Sequence, residues 1–555
     1  MTLRTALLGL LVFAVASAKG PIGTADGASV QDTLLAAVGE LPFAMPAIRQ
    51  TSFPDRVVSI IEQGAVGDGQ TMNTAAFERA IRVCAEAGGG TVRVPSGVWL
   101  TGPIRLRSNI DFHLDRGALI LFSRNRDDYP LVPYPTSKSK NFTCAPPIFG
   151  EGLDNIAITG HGIIDGAGDV WRPVKREKLT AREWKDLVSS GGANDGSVWW
   201  PSRQAMDGAA TLRELRTKEK TLSASDFAAV RDYLRPHMID LYGCTRVLLD
   251  GPTFRNSPKY CVRPSFCEDL VIRNITVMND WNAQNGDGID LTTSRNAIVF
   301  NCTVSVGDDA ICIKPGSLPK NAGRTVACEN IVITGCTVYR GHGGFVIGSE
   351  TNGGARNIAV RNCTFVGTDV GLRFKSDRSR GGLIEDVFIS GIRMSGIANE
   401  AILFDLFYEN VPAGERARGP SGDRLPQFRR FSITDIVCNG ADRAVRIVGL
   451  PEMPVRDIRI GNATFDAVDG VSCSNAEGLR FDSVRVLNRR GPVFSVDNAA
   501  AVTIARPQFR PDAEVFLRVA GERSKDIRVE QADLSMVKRS VDRSPEVSPG
   551  AVTVQ

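Results

Sequence analysis

One short phrase recurs along the chain and constrains its fold more than any other feature. Arg273-Asn274-Ile275-Thr276-Val277, Phe300-Asn301-Cys302-Thr303-Val304, Thr334-Gly335-Cys336-Thr337-Val338 and Arg361-Asn362-Cys363-Thr364-Phe365 are variants of it, their second positions 27, 34 and 27 residues apart. A period in this range, carried by short β-branched runs between Gly, Asn and Asp, points to a solenoid. Each repeat is one coil that buries its apolar face only by stacking on its neighbours. The expected fold is therefore all-β, a right-handed parallel β-helix. Related phrases at residues 387–391, 458–462 and 484–488 carry the coil toward the C-terminus, so it is expected to fill residues 52–537. Cys302, Cys336 and Cys363 share one coil position and are expected inside it as stacked free thiols.

Three stretches depart from the strand grammar. Residues 74–87, after Asn73 and before Gly88-Gly89-Gly90, read as an amphipathic helix that caps the open end of the stack. Residues 168–237 turn helical and are expected as a surface insertion. Their Trp171, Trp184, Trp199 and Trp200 either form its own small core or stack on sugar rings. The polar stretch 538–555 shows no pattern and is expected as a loose tail.

Arg4, the apolar run 6–15 and Ala16-Ser17-Ala18 read as a secretory signal over residues 1–18, followed by a variable segment 19–51. The run is shorter than the ~20 residues a membrane span needs. A secreted or periplasmic protein with no span in its mature chain is expected. Export permits disulfides, but 12 cysteines in 555 residues are too sparse for a disulfide-built scaffold, and none has Cys-x-x-Cys zinc spacing. A net charge of +4, without basic blocks, would draw a polyanion weakly and gives no sign of nucleic-acid binding.

Acidic residues gather in Asn285-Gly286-Asp287-Gly288-Ile289-Asp290 and in Gly307-Asp308-Asp309-Ala310, with Asp287 and Asp308 21 residues apart, about one coil. Adjacent rungs lie ~4.8 Å apart, close enough for carboxylates to shift one another's pKa. One can then stay protonated while another stays ionised, which is what glycosidic cleavage needs. Any single Asp of this kind is equally a turn former. Strand alternation would send Asp308 and Asp309 to opposite faces, so a bend is needed, and Gly307 makes one plausible. One coil on stands Gly341-His342-Gly343, and a further coil on Arg373-Phe374-Lys375, whose i, i+2 spacing puts both cations on one face. Cations beside acids suit a sugar that carries a carboxylate.

In these four places the chain resembles glycoside hydrolase family 28, the polygalacturonases, whose motifs run Asn-Thr-Asp, Gly-Asp-Asp, Gly-His-Gly and Arg-Ile-Lys. The departures are Gly286 for Thr and Phe374 for Ile. The resemblance implies hydrolysis of α-1,4-galacturonosidic bonds in pectin with inversion, without metal or other cofactor. By position, Asp308 looks like the general acid and Asp287 and Asp309 like the carboxylates that activate water. It also implies that His342 supports the acid, and that Arg373 and Lys375 bind a galacturonate carboxylate. The insertion and the long stretch between Lys314 and Cys328 favour exo-action by a monomer on an acidic polysaccharide. A pectate-cleaving β-helix lyase and a non-catalytic carbohydrate-binding solenoid are the rival readings.

Overall fold

The second residue of the repeated phrase is set by backbone geometry. Asn274, Asn301, Gly335 and Asn362 have φ of 55°, 52°, 64° and 51°, in the left-handed region that asparagine and glycine enter most easily. There the chain turns between two strands of a coil, and Asn301 Nδ2 donates to Asn274 Oδ1 on the preceding rung at 2.8 Å. A second ladder runs through Asn296, Asn330 and Asn357, with Asn330 and Asn357 each donating to the asparagine before it at 3.0 Å.

The computed structural model describes residues 39–134, 141–217, 222–316, 327–408 and 425–555. The expected signal segment 1–18 lies outside them. Contacts divide the chain into Met1–Gly39 and Glu40–Gln555, and the solenoid belongs to the second unit. Three strands make a rung: Val262–Ser265, Glu268–Arg273 and Thr276–Met278 are followed by Ile289–Thr292, Arg295–Phe300 and Thr303–Ser305. Next come Asp309–Lys314, Cys328–Thr334 and Thr337–Tyr339, then Gly343–Ile347, Ala355–Arg361 and Thr364–Val366. Equivalent strands pair in parallel, so that Ile289, Ile311, Phe345 and Leu372 fall into one register. Among the described residues 36 strands join this array. The fold is a parallel β-helix.

Inward side chains form one core along its length. Phe345, Phe374 and Phe404 stack with ring centroids 6.3 and 4.5 Å apart. Phe374 thus fills the interior between two outward cations, a role isoleucine would also serve. Cys302, Cys336 and Cys363 lie inside as expected, and all twelve cysteines are buried and free. The helix Thr74–Glu86 buries Ala76, Phe77, Ala80, Ile81 and Cys84 on one face. Phe77 meets Phe112 of the first coils at 5.9 Å, which closes the end of the stack.

Residues 40–52 run along the outside of the coils. Phe43 packs 6.1 Å from Phe388, Arg361 donates to the Glu40 carbonyl, Arg49 pairs with Asp269, and Ser52 N donates to Asn155 Oδ1 at 2.9 Å. At the other terminus the structure corrects the expected loose tail. Arg539–Arg543 pairs with Val515–Ala520, and Val552–Val554 with Lys525–Glu530, so these residues continue the stack. Val547 and Ala551 are buried in the core. The apolar positions were too few and too short in run to show a pattern amid polar neighbours.

The chain leaves the solenoid between Ile163–Asp165 and Ile239–Tyr242. Val174–Lys175, Val198–Trp200 and Ala193–Asn194 form an antiparallel sheet beside the helices Ala181–Ser189, Arg203–Thr217 and Ala224–Phe227. Thr180 and Glu183 close the first helix with a reciprocal capping box. Leu212, Leu215, Leu222, Phe227 and Val230 make a separate core. Leu131 and Phe142, from a hairpin earlier in the chain, also pack on it. Trp171 and Trp199 are buried here, so packing is their role.

Candidate active site

The site rises from one column of strands: Val262–Ser265, Ile289–Thr292, Asp309–Lys314, Gly343–Ile347 and Val370–Lys375. Asp309 aligns with Gly343 and Gly343 with Val370, so Asp308, His342 and Asp369 stand one above another at the strand entrances. The bend that places Asp308 comes just before its strand. A Cβ on Gly307 would lie 2.5 Å from the Asp280 carbonyl oxygen and 2.6 Å from that of Trp281. Gly307 is therefore needed for close approach of that loop. A Cβ on Gly286 would meet Ala283 at 2.8 Å, which explains the absence of threonine there.

The bend brings one oxygen each of Asp287, Asp308 and Asp309 within 4.8 Å of one another. This spacing would also suit a cation, but Lys314, Lys375 and Arg373 already supply positive charge. Lys375 Nζ lies 2.8 Å and Arg373 Nη1 3.3 Å from Asp309. Lys314 Nζ lies 3.3 Å from Asp287 and 3.6 Å from Asp290. His342 Nδ1 is 3.2 Å from Asp308 Oδ1, and the amides of Asn285 and Asp309 also donate to Asp308, at 3.2 and 2.9 Å.

These partners separate the three acids. Burial, followed by the charges of Asp308 and Asp290, pushes Asp287 well above the usual carboxylate range. Burial acts on Asp309 as well, but Lys375 and Arg373 overcome it and hold the group far below that range. For Asp308 too burial is opposed, chiefly by the hydrogen bond from His342, and the net direction is downward. Of the two, Asp287 therefore holds a proton more readily than Asp308. Asp308 remains the most open of the three, its side chain 17% exposed against 3% for Asp287 and 1% for Asp309.

A cavity of about 300 Å³ opens over the acids, lined among others by Lys178, Tyr260, Asn285, His342, Lys375 and Tyr408. Five of the six residues expected from the sequence line it, and the sixth, Arg373, reaches Asp309 from beside it. Arg373 and Lys375 sit on one face as expected, yet both are engaged by Asp309 and lie over the Tyr408 ring at 5.4 and 4.6 Å.

Sequence reasoning missed Lys314, Asp290, Lys178 and Trp281. Lys314 was within reach, since it stands at the end of the strand that Asp309 begins. Nothing in the order of residues ties Lys178 to the acids, because it arrives with the insertion. Asp290 is wholly buried, with neither oxygen hydrogen-bonded among the described residues, and burial pushes it up to about 7 against the pull of Lys314. A carboxyl raised on folding stabilises the protein fully below its unfolded pKa of ~4, and that contribution is lost as pH rises toward 7. The loss is on the order of 4 kcal/mol. Asp290→Asn should therefore gain melting temperature relative to wild type between pH 4 and 7. A difference that stays flat over that range would show that Asp290 does not titrate there.

Unlike carboxylates facing a groove among cations define a class, the glycoside hydrolases built on a parallel β-helix. The chain matches the family model for glycosyl hydrolases family 28 over residues 225–477. It is 27% identical over 453 residues to an exo-poly-alpha-D-galacturonosidase of Dickeya chrysanthemi, covering 79% of this chain and 72% of that one. A probable polygalacturonase of Vitis vinifera is 25% identical over 439 residues, 76% of this chain and 77% of its own. Among solved structures, a hyperthermoactive exopolygalacturonase from Thermotoga maritima superposes with a TM-score of 0.64 at 29% identity, over 82% of this chain and 93% of that chain.

Proposed function

We propose that the protein is an exo-acting polygalacturonase that hydrolyses α-1,4-galacturonosidic bonds at the end of a pectic chain with inversion. The observation that carries the reading is the trio of carboxylates with separated protonation, set in a small cavity among lysines. About 300 Å³ is at the low end for ligand pockets. Lys175 and Lys178 of the insertion form part of its wall, which suits the end of a chain better than its middle.

Asp308, the most exposed acid, protonates the leaving oxygen. A uronate entering the cavity brings negative charge beside Asp308 and raises its affinity for the proton that Asp287 holds at rest. Once that proton moves across, Asp287 is ionised and pairs with Lys314. Asp287 and Asp309 then orient a water and take its proton as it attacks the anomeric carbon. His342 steadies Asp308. Lys375 and Arg373 fix Asp309 and present their outer edges, with Tyr408, to the sugar carboxylate.

Among the described residues no helix is long and apolar enough to cross a membrane. The signal-like residues 1–18 support a secreted or periplasmic protein that acts on an acidic polysaccharide.

Digestion of polygalacturonate tests the reading. Saturated galacturonic acid should appear first, while viscosity falls slowly. Early oligomers would make the enzyme endo-acting, ultraviolet-absorbing unsaturated ends would make it a lyase, and binding without new reducing ends would leave only a carbohydrate-binding solenoid.

A further inference from the structure

The turn Arg176–Lys178 is fastened to the insertion at both ends. Lys175 pairs with Val198 in the small sheet, Arg176 N donates to the Ser197 carbonyl at 2.8 Å, and Leu179 N donates back to Arg176 at 3.1 Å. The turn projects Lys178 into the cavity, where its Nζ lies 3.5 Å from the centroid of the Trp281 ring and 3.1 Å from His342 Nε2. The aromatic face holds the ammonium in place. We propose that Lys178 is a positioning residue for the acid: it fixes His342 in the neutral tautomer whose Nδ1–H points at Asp308.

The argument is one of donors and acceptors. An ammonium carries three N–H donors and no acceptor, so a ring nitrogen bonded to it must accept. A neutral imidazole has one N–H. With Nε2 accepting from Lys178, that N–H falls on Nδ1, which lies 3.2 Å from Asp308 Oδ1. A doubly protonated ring would instead press an N–H against the ammonium. The other groups facing the ring are Asp369, 3.8 Å from Nε2, the Trp281 ring, perpendicular to it with centroids 6.5 Å apart, and Arg373, whose Nη1 is 3.5 Å from the His342 carbonyl. Holding the ring neutral matters because an imidazolium beside Asp308 would pin that group as a carboxylate and withhold the proton it must donate. Through this contact the insertion, besides walling the cavity, sets the protonation state of the site.

The role assigned to Asp308 rests on the proposed hydrolysis, so the test has one arm that does not. The chain has four histidines, and ¹⁵N-histidine spectra with His342→Asn for assignment give the tautomer of His342 directly. Wild type should show protonated Nδ1 and accepting Nε2, and Lys178→Met should show Nε2 protonated as well as Nδ1. A wild-type Nε2 that already carries the proton overturns the proposal whatever the substrate is. In the activity arm, the alkaline limb of kcat on polygalacturonate should move down by about one pH unit in Lys178→Met, a roughly tenfold loss on that limb. Lys178→Arg, which keeps a charged donor, should hold the wild-type limb. An unshifted profile with raised KM in Lys178→Met would make Lys178 a substrate contact instead. If Lys178→Arg behaves like the methionine variant, the positioning role also fails. Absence of hydrolysis by wild type would refute the proposed function and leave the tautomer result standing.

Discussion

Replacing Asp308 by asparagine should lower kcat on polygalacturonate by about 10³-fold, with KM changed only a few-fold and the melting temperature nearly unchanged. A positioned general acid contributes ~10²–10⁴ to rate, and the amide has the acid's shape without its proton. The side-chain oxygen of asparagine can stand in for Oδ1, which faces the Asp309 amide and His342, so only the bond from the Asn285 amide to Oδ2 is lost. Asp287→Asn should be damaged to a similar degree for the opposite reason, since an amide cannot take a proton from water. Wild-type kcat in Asp308→Asn, measured by reducing-end release, would remove Asp308 from the mechanism.

Lys375→Met is expected to be the most damaging single change to stability near the site. Asp309 is 1% exposed, and its shortest contact is the Lys375 ammonium at 2.8 Å. Removing one partner of a buried pair leaves an unpaired charge and costs about 3–5 kcal/mol. Because Asp309 is depressed on folding, its stabilisation is present above the unfolded pKa of ~4 and lost as pH falls further. The deficit of Lys375→Met should thus be full near neutral pH and shrink as pH falls below about 4. Lys375→Met combined with Asp309→Asn should recover much of the stability and none of the activity. Thermal melts of the two variants across pH decide the matter, and a single-variant loss under 1 kcal/mol would mean that Arg373 alone suffices for Asp309.

Much of this site was legible because a solenoid turns sequence spacing into spatial adjacency. Asp287, Asp308, His342 and Arg373 recur at about one coil, and the rungs bring them together as that spacing requires. The five-residue phrases were legible for a related reason: their Asn and Gly mark left-handed turns that few other residues tolerate. What sequence could not supply was the contact made outside the rung. Lys178 and Trp281 meet only because an insertion folds back over the groove. Lys375 and Arg373 were placed correctly on one face, but their distance to Asp309 depends on how far that corner closes. The proton's place on Asp287 follows from burial without the two cations that hold Asp309 ionised, a difference that spacing does not encode. The final rung was misread for want of length, with Val541, Val547 and Ala551 too scattered to announce a period.

The segment 40–52 has a consequence for how such a chain comes apart and is made. In a stack of coils each rung rests on its two neighbours, so fraying could travel inward from either end one rung at a time. This segment runs across the coils from that of Asn155 to that of Phe388, fastening on the way to Asp269 and Arg361. Loosening any rung in that span strains the tie, so the block is expected to melt as one cooperative unit. During synthesis the order reverses: residues 40–52 emerge early, yet their docking is complete only once the ribosome has passed Phe388.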